Sequence, residues 1–537
     1  MFVRTKMIRR GQKEYRYLQL VENQRVNGRV KQKVIFTLGR VEKVDRNQVD
    51  QIIAAFGKYT QHAHVLRHIE ELHLHNARNW GDIWVLSRLW DEVGLTQIFG
   101  KILQRRSFEI DIERAIRATV FNRCVDPCSK LATHEWIQQE VSFPGADDIA
   151  LHHFYRALDF LHQEQEAWEA ALYNREMNLF TLDVSLVFYD TTLVSVYGDH
   201  PDTLAQPSRR SRRTHLKELL IGLVLSRDGL PLAHEVLPGN TADVSTVKEI
   251  TRRLRTRFGI KRCIFVGDAG MLSGGNLEHL EGQEYEYIMG TPLRKLKEVK
   301  ERVLATPGRY SSLAENLRIK HVQLDGRRYI LCHNPKEQKR DAALREAFLQ
   351  SLEAEVASLE GKQENQDYKD VVAHKRKRGY LRILKDGTLR VNRTKARQEA
   401  RYDGKHVLRT NTELTGAEVA RNYHALKRIE QSFHSLKSIE EVAPVYHWTD
   451  ERVRGHVAAC VLGHWLERLM ERKLRDGGYS ESVSTALREL GRVKSVEVEL
   501  NGQWFRFRTE ANTAVSGILK ALGYRLPSRV EPLPSLE

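Results

Sequence analysis

The chain opens on a β pattern. Within residues 1–60, YLQLVENQRVNGRVKQKVIFTLG alternates apolar and polar positions in two runs around Asn27-Gly28. That dipeptide predicts a two-residue hairpin turn, because both residues tolerate positive φ. The period turns helical over residues 81–178, in GDIWVLSRLWDEVGLTQIF, FEIDIERAIRATVFNRCV and DPCSKLATHEWIQQE. There Asp126-Pro127 suits an N-cap followed by proline in the first turn. This helical segment reads as a DNA-binding domain ahead of the next, with an interaction module as the alternative.

Residues 180–272 return to strands. TLDVSLVFYDTT alternates at Leu182, Val184, Leu186 and Phe188, a strand ending at Asp190. HLKELLIGLVLSRDGLPLAHEVLPGN is a hairpin turned at Asp228-Gly229, and TADVSTVKEITRRLRTRFG is a helix with Thr241 as its N-cap. KRCIFVGDAG is a short, continuously apolar strand ending at Asp268, the pattern of a strand covered on both faces. A crossover containing a helix sets the first and last of these strands side by side and parallel. Residues 273–403 then interrupt the unit. EYEYIMGTP, IKHVQLDGRRYILC and LRILKDGTLRVN predict a β-rich insertion around one long helix near Leu344–Leu359. Residues 404–475 resume with the strand GKHVLRTNT, a Thr415–Glu418 capping box and two helices, and residues 476–537 form a C-terminal region. The class is α/β.

The first of those two helices contains IEQSFHSLKS, from Ile429 to Ser438. At about 100° per residue, Glu430, His434 and Lys437 fall within roughly 40–60° of one another. Tyr423 lies on the same line, and Ile429, Phe433 and Leu436 form an apolar stripe beside it. A chargeable line thus borders a buried face. On this stretch alone, an ordinary amphipathic helix with salt-bridging neighbours is the better reading.

Charge narrows the partner class. The 86 Lys and Arg against 70 Asp and Glu leave a net +16, which favours a polyanion. The excess is clustered in RRSRR, RRLRTRFGIKR and HKRKRG, and the loop holding Arg209, Arg210, Arg212 and Arg213 reads as a DNA contact. Five cysteines without a CxxC pair indicate a reducing cytoplasm and argue against zinc. No apolar run approaches the roughly 18 to 20 residues of a membrane span, and the basic N-terminus has no apolar stretch of a secretory signal behind it.

The chemistry lies in the acids. Asp190 and Asp268 each end a strand, and ligands of open α/β sheets bind at that edge. Two carboxylates side by side repel unless a cation lies between them, and oxygen-only ligands favour Mg2+ or Mn2+. A third acid on a helix crossing that edge completes a site for two ions about 3.5–4 Å apart, the arrangement of phosphodiester chemistry. Glu430 is that acid. Asp183 starts its strand, Asp228 sits in a turn, and Asp243 is accounted for by capping the first turn of its helix.

At these residues the sequence resembles the DDE transposases of bacterial insertion sequences, in the branch with a Tyr-Arg-Glu-Lys signature. Tyr423, Glu430 and Lys437 match its spacing, and IEQSFHSLK matches its surroundings; Leu426 stands at the Arg position, with Lys427 and Arg428 nearby. FYDTT, LPGNTAD, VGDAGM and YHWTDERVRGHV also look like this family, over most of residues 1–475. The resemblance implies a ribonuclease H-like catalytic core interrupted by the β-rich insertion. It implies cleavage of double-stranded DNA at transposon ends and strand transfer to target DNA. Asp190, Asp268 and Glu430 would hold two Mg2+ or Mn2+ ions. Tyr423 and Lys437 would hold DNA phosphates, with Arg428 standing in for the missing Arg. His434 is either a DNA contact or a structural histidine. Synapsis of two ends implies a homodimer on DNA, nucleoid-associated in a bacterial cytoplasm. Relatives that pass through a hairpin intermediate use a tryptophan in the insertion; none lies between Leu272 and Arg401. Two other readings use the same chain: another ribonuclease H-like metal-dependent nuclease, which would cut but not join, and a non-catalytic DNA-binding regulator.

Overall fold

The computed structural model describes residues 2–10, 13–26, 29–41, 73–104, 111–180, 185–198, 201–208, 216–261, 263–361, 365–500 and 503–532. The chain divides into two compact units. The first comprises Met1–Ala77, Ser495–Glu510 and Pro527–Glu537. Its strands β1 (Phe2–Arg10), β2 (Lys13–Val26) and β3 (Arg29–Arg40) form an antiparallel sheet, with Val26 opposite Arg29. The register is that of the expected hairpin, although Asn27 and Gly28 lie outside the described residues. A second sheet joins β4 (His73–Asn79) to the C-terminal strands β17 (Lys494–Leu500), β18 (Gln503–Arg508) and β19 (Val530–Pro532), in the order β19-β18-β17-β4.

The second unit, Arg78–Lys494 with Ala511–Leu526, is built on a ten-stranded mixed sheet. Its strands are β5 (Leu186–Ser195), β6 (Gln206–Pro207), β7 (Lys217–Ser226), β8 (Pro231–Pro238), β9 (Ile264–Gly267), β10 (Glu286–Gly290), β11 (Ser311–Ala314), β12 (Leu317–Leu324), β13 (Arg327–His333) and β16 (Lys405–Thr410). The order is β11-β12-β13-β16-β10-β9-β5-β7-β6, with β8 also paired to β7. Parallel pairing runs from β5 to β9 to β10, and the remaining pairs are antiparallel. The helix Asp243–Phe258 makes the crossover from β8 to β9, burying Val247, Ile250, Leu254 and Phe258 at helical spacing.

Alternation along the central strands covers both faces. Val187 and Tyr189 enter one core; Leu186 and Phe188 enter the other. Helices from residues 81–180 pack in the first core, together with the crossover helix. The helices Gly416–His424 and Lys427–Ser438 pack in the second. The long helix Asp450–Asp476 reaches both, with Ala459 and Trp465 in one and Val457 and Cys460 in the other. No described helix is long and apolar enough to cross a membrane.

Several local expectations are corrected. β5 runs past Asp190 to Ser195, because Thr191, Thr192 and Val194 keep their antiparallel pairing with β7; only the parallel pairing with β9 stops before Asp190, at Tyr189–Gly267. Leu182 and Val184 lie outside the described residues. The insertion is mixed rather than β-rich. Its helices Pro335–Ser358, Gln366–Ala373, Lys375–Arg378 and Arg393–Ala400 outweigh its strands, and β11–β13 extend the main sheet. The small hairpin β14 (Leu381–Ile383) and β15 (Leu389–Val391) stands apart. The crossover helix is capped at Ala242, not Thr241, without a side-chain bond. The helix expected to start at Asp126-Pro127 starts at Lys130, where the Ser129 hydroxyl accepts the Ala132 amide.

Candidate active site

The pairing of β5 with β9 sets the site. Tyr189 is in register with Gly267, so Asp190 and Asp268 follow as neighbours at the end of the parallel pair. Asp190 shares a strand face with Phe188 and Thr192. The core on that face receives Ile429, Phe433 and Leu436, the apolar stripe of the Lys427–Ser438 helix. Burying the stripe leaves Glu430, His434 and Lys437 exposed on the helix, and Glu430 comes close enough to Asp190 to act on its charge.

The acids crowd one another. Burial pushes the Asp190 carboxyl up to about 7, against the Thr191 amide that donates to its Oδ1 at 2.7 Å, and the charges of Asp268, Asp243 and Glu430 push the same way. An all-oxygen donor set under mutual repulsion fits a hard divalent cation and disfavours zinc or copper. The acids are not a closed cluster, however. Among the described residues, the His, Cys, Asp or Glu group whose ligand atoms lie within 4.8 Å of one another is Glu440, His464 and Glu467. That group is fully buried beyond the end of the Glu430 helix; His464 Nδ1 is 2.9 Å from Glu440 Oε1.

Tyr423 and Lys437 flank the acids. Tyr423 belongs to a separate helix, Gly416–His424, opened by the expected Thr415–Glu418 capping box, and the chain turns at Ala425 and Leu426 before the Glu430 helix. Its hydroxyl nevertheless donates to Asp268 Oδ1 at 3.3 Å. The ring passes over β10 at Gly290, where a Cβ would stand 2.4 Å from the Tyr423 oxygen. His406 stacks on the Tyr423 ring, centroid to centroid 5.9 Å, and burial pushes that imidazole down to about 4. Lys437 Nζ donates to Thr192 Oγ1 at 2.6 Å, two positions along β5 from Asp190. Although the side chain as a whole is exposed, loss of water around its ammonium end lowers the Lys437 pKa, and Glu218 opposes the shift.

Other expected contacts fall elsewhere. Arg428 points away from the acids and donates to the Arg227 carbonyl in the β7–β8 turn. Leu426, at the signature's Arg position, is buried in the core and offers no phosphate contact. His434 pairs locally with Ser438, Nδ1 to Oγ 3.0 Å. Arg209, Arg210, Arg212 and Arg213 lie outside the described residues. Sequence reasoning missed Asp243. It accepts a hydrogen bond from Thr191 and adds a fourth charge beside Asp190. The signal was its place in LPGNTAD, overridden by the rule that an acid in a first turn is a cap.

Two family profiles match the chain. One, described as "IS1634 family transposase, N-terminal domain", covers residues 3–64, and one described as "Transposase DDE domain" covers residues 185–466, just over half of the sequence. Among solved structures, the piggyBac transposase synaptic complex with hairpin DNA is 10% identical with a TM-score of 0.38, over 77% of this chain and 80% of that one. The Mos1 transposase paired-end complex with left transposon end is 13% identical with a TM-score of 0.15, over 34% of this chain and 60% of that one. No curated protein matches in sequence.

Proposed function

Because the chain belongs to the family of transposases built on the DDE domain, we propose that Asp190, Asp268 and Glu430 are the catalytic acids of an enzyme that cuts and joins DNA at transposon ends. Its ribonuclease H-like α/β core and its use of a divalent metal follow from that membership. The observation that carries the assignment is the convergence of three acids, far apart in sequence, at the end of the β5–β9 parallel pair.

The three acids, with Asp243 behind Thr191, would hold two Mg2+ or Mn2+ ions, which when bound activate the attacking oxygen and stabilise the leaving one. This chain's own side chains do the rest. Thr192 takes one of the three Lys437 ammonium protons and fixes the group to hold a phosphate oxygen beside the acids, whereas the Tyr423 hydroxyl would hold one only by turning its single proton away from Asp268. Water attacks the phosphodiester at the transposon end and leaves a 3′ hydroxyl and a 5′ phosphate. The 3′ hydroxyl then attacks a target phosphodiester, forming the new bond as the target's own 3′ oxygen departs. The basic excess supplies a sequence-independent hold on both duplexes. Two ends call for a homodimer on DNA. Five unpaired cysteines suit a reducing cytoplasm, at the nucleoid.

The test is cleavage and strand transfer on end-containing duplex with Mg2+. Asp190→Ala, Asp268→Ala and Glu430→Ala are expected to abolish both reactions while end binding in chelator persists. Cutting by any of the three at the wild-type rate overturns the assignment.

A further inference from the structure

A second basic site lies off the acidic edge. A cavity of about 310 Å³ opens beneath the chain that joins the Glu430 helix to the Asp450–Asp476 helix. Arg123, Lys130, His447 and His456 line it, with Tyr446 at 63% exposure and one carboxylate, exposed Glu441. Lys130 is 4% exposed and Arg123 3%, and neither forms an ion pair among the described residues. Arg123 spends its donors on neutral oxygens: the Glu440 and Cys128 carbonyls and Asn122 Oδ1. Lys130 has no hydrogen-bond acceptor among the described residues, and buried His456 Nδ1 has none either.

Buried cations without counter-charge are costly. Burial, and then Arg123, push the Lys130 amine down to about 7, and His447 is held down by burial with Lys130, Arg452 and Arg123 around it. Lys130 is also the first residue of the Lys130–Gln139 helix, so its backbone amide and that of Leu131 add to the positive end of a helix dipole. Such a constellation stands ready for an anion with several oxygens.

We propose that this cavity binds a phosphate group, and that the phosphate is one in the backbone of the DNA held at the acids. The choice of DNA rests on the transposase reading. The cavity itself does not. Its position supports the choice: Val196, six residues beyond Asp190 on the path of β5, bridges Val445 at the cavity's rim. At about 3.3 Å per residue the separation is about 20 Å, or roughly six base pairs at 3.4 Å each. A duplex held at the acids would present backbone phosphates at about that distance from the cut.

The experiment uses the full chain in chelator, so that nothing is cut. Binding of a random-sequence DNA duplex is titrated against salt for wild type, Lys130→Met and Lys130→Arg, and each protein is also unfolded in urea with and without inorganic phosphate. Lys130→Met is expected to bind duplex about ten-fold more weakly, with the salt slope shallower by about one counterion, and to be no less stable than wild type; Lys130→Arg keeps the wild-type slope. If inorganic phosphate alone stabilises wild type but not Lys130→Met, while the duplex slopes agree, the pocket takes free phosphate instead. Equal slopes and no phosphate effect overturn the site. A wild type that neither binds nor cuts end DNA overturns the transposase reading and leaves the phosphate arm to judge the cavity alone.

Discussion

Replacing Asp190 by asparagine keeps the oxygen that accepts the Thr191 amide and deletes the charge. In the folded chain this carboxyl rises from 3.8 to about 7, first by burial and then by Asp268, Asp243 and Glu430. A carboxyl with a raised folded pKa binds its proton more tightly than the unfolded chain does. Folding is therefore favoured at low pH, and that advantage disappears as pH climbs from the unfolded value through about 7. About three units at 1.36 kcal/mol each make about 4 kcal/mol, falling to about 2 once water reaching the partly exposed group screens it. The asparagine variant escapes this cost. Urea unfolding in chelator at about pH 5 and about pH 8 should show Asp190→Asn gaining stability over wild type, more at the higher pH. Adding Mg2+ should then stabilise wild type much more than the variant. An Asp190→Asn protein less stable than wild type at the higher pH would falsify the idea that the acids crowd there.

Gly290→Ala puts a methyl group against the Tyr423 hydroxyl and 3.0 Å from the Ala269 amide, so Tyr423 must leave Asp268. Cleavage should fall at least about ten-fold with stability lowered by about 1–3 kcal/mol, read by a cleavage time course beside a urea curve. Phe433→Ala empties a buried position under the Glu430 helix and should cost about 3–5 kcal/mol of stability in the same unfolding assay. Lys437→Ala should slow cleavage and weaken end binding while leaving Mg2+ dependence intact, checked by metal titration of the cleavage rate.

How far the chain could be read depended on whether local or distant partners decide an element. The continuous apolar run of β9, the Thr415–Glu418 capping box and the Ile429, Phe433, Leu436 stripe announce themselves, because each is fixed by its own periodicity or first turn. The positions of Asp268 and Glu430 follow from them. The length of β5 does not, since its far half is held by β7, and one strand's sequence does not reveal how far its partner reaches. Asp243 was hidden by a sound local rule that a tertiary contact overrode, its bond to Thr191 on a different element. The burial of Lys130 was hidden for the same reason. Tyr155 and a stretch between positions 441 and 456 line the cavity with it, and nothing near position 130 records them.

The route of the chain through the sheet also sets when the enzyme becomes competent. β16 is hydrogen-bonded to both β10 and β13, so the strand that leads back toward Glu430 joins the sheet only after the whole inserted stretch has been made. A nascent chain emerging from the ribosome thus carries two of the acids for a long interval before the third exists to meet them. On the proposed assignment of the acids, catalysis waits for that meeting, and a product cut short before residue 427 also lacks the two helices that fill both cores of the sheet.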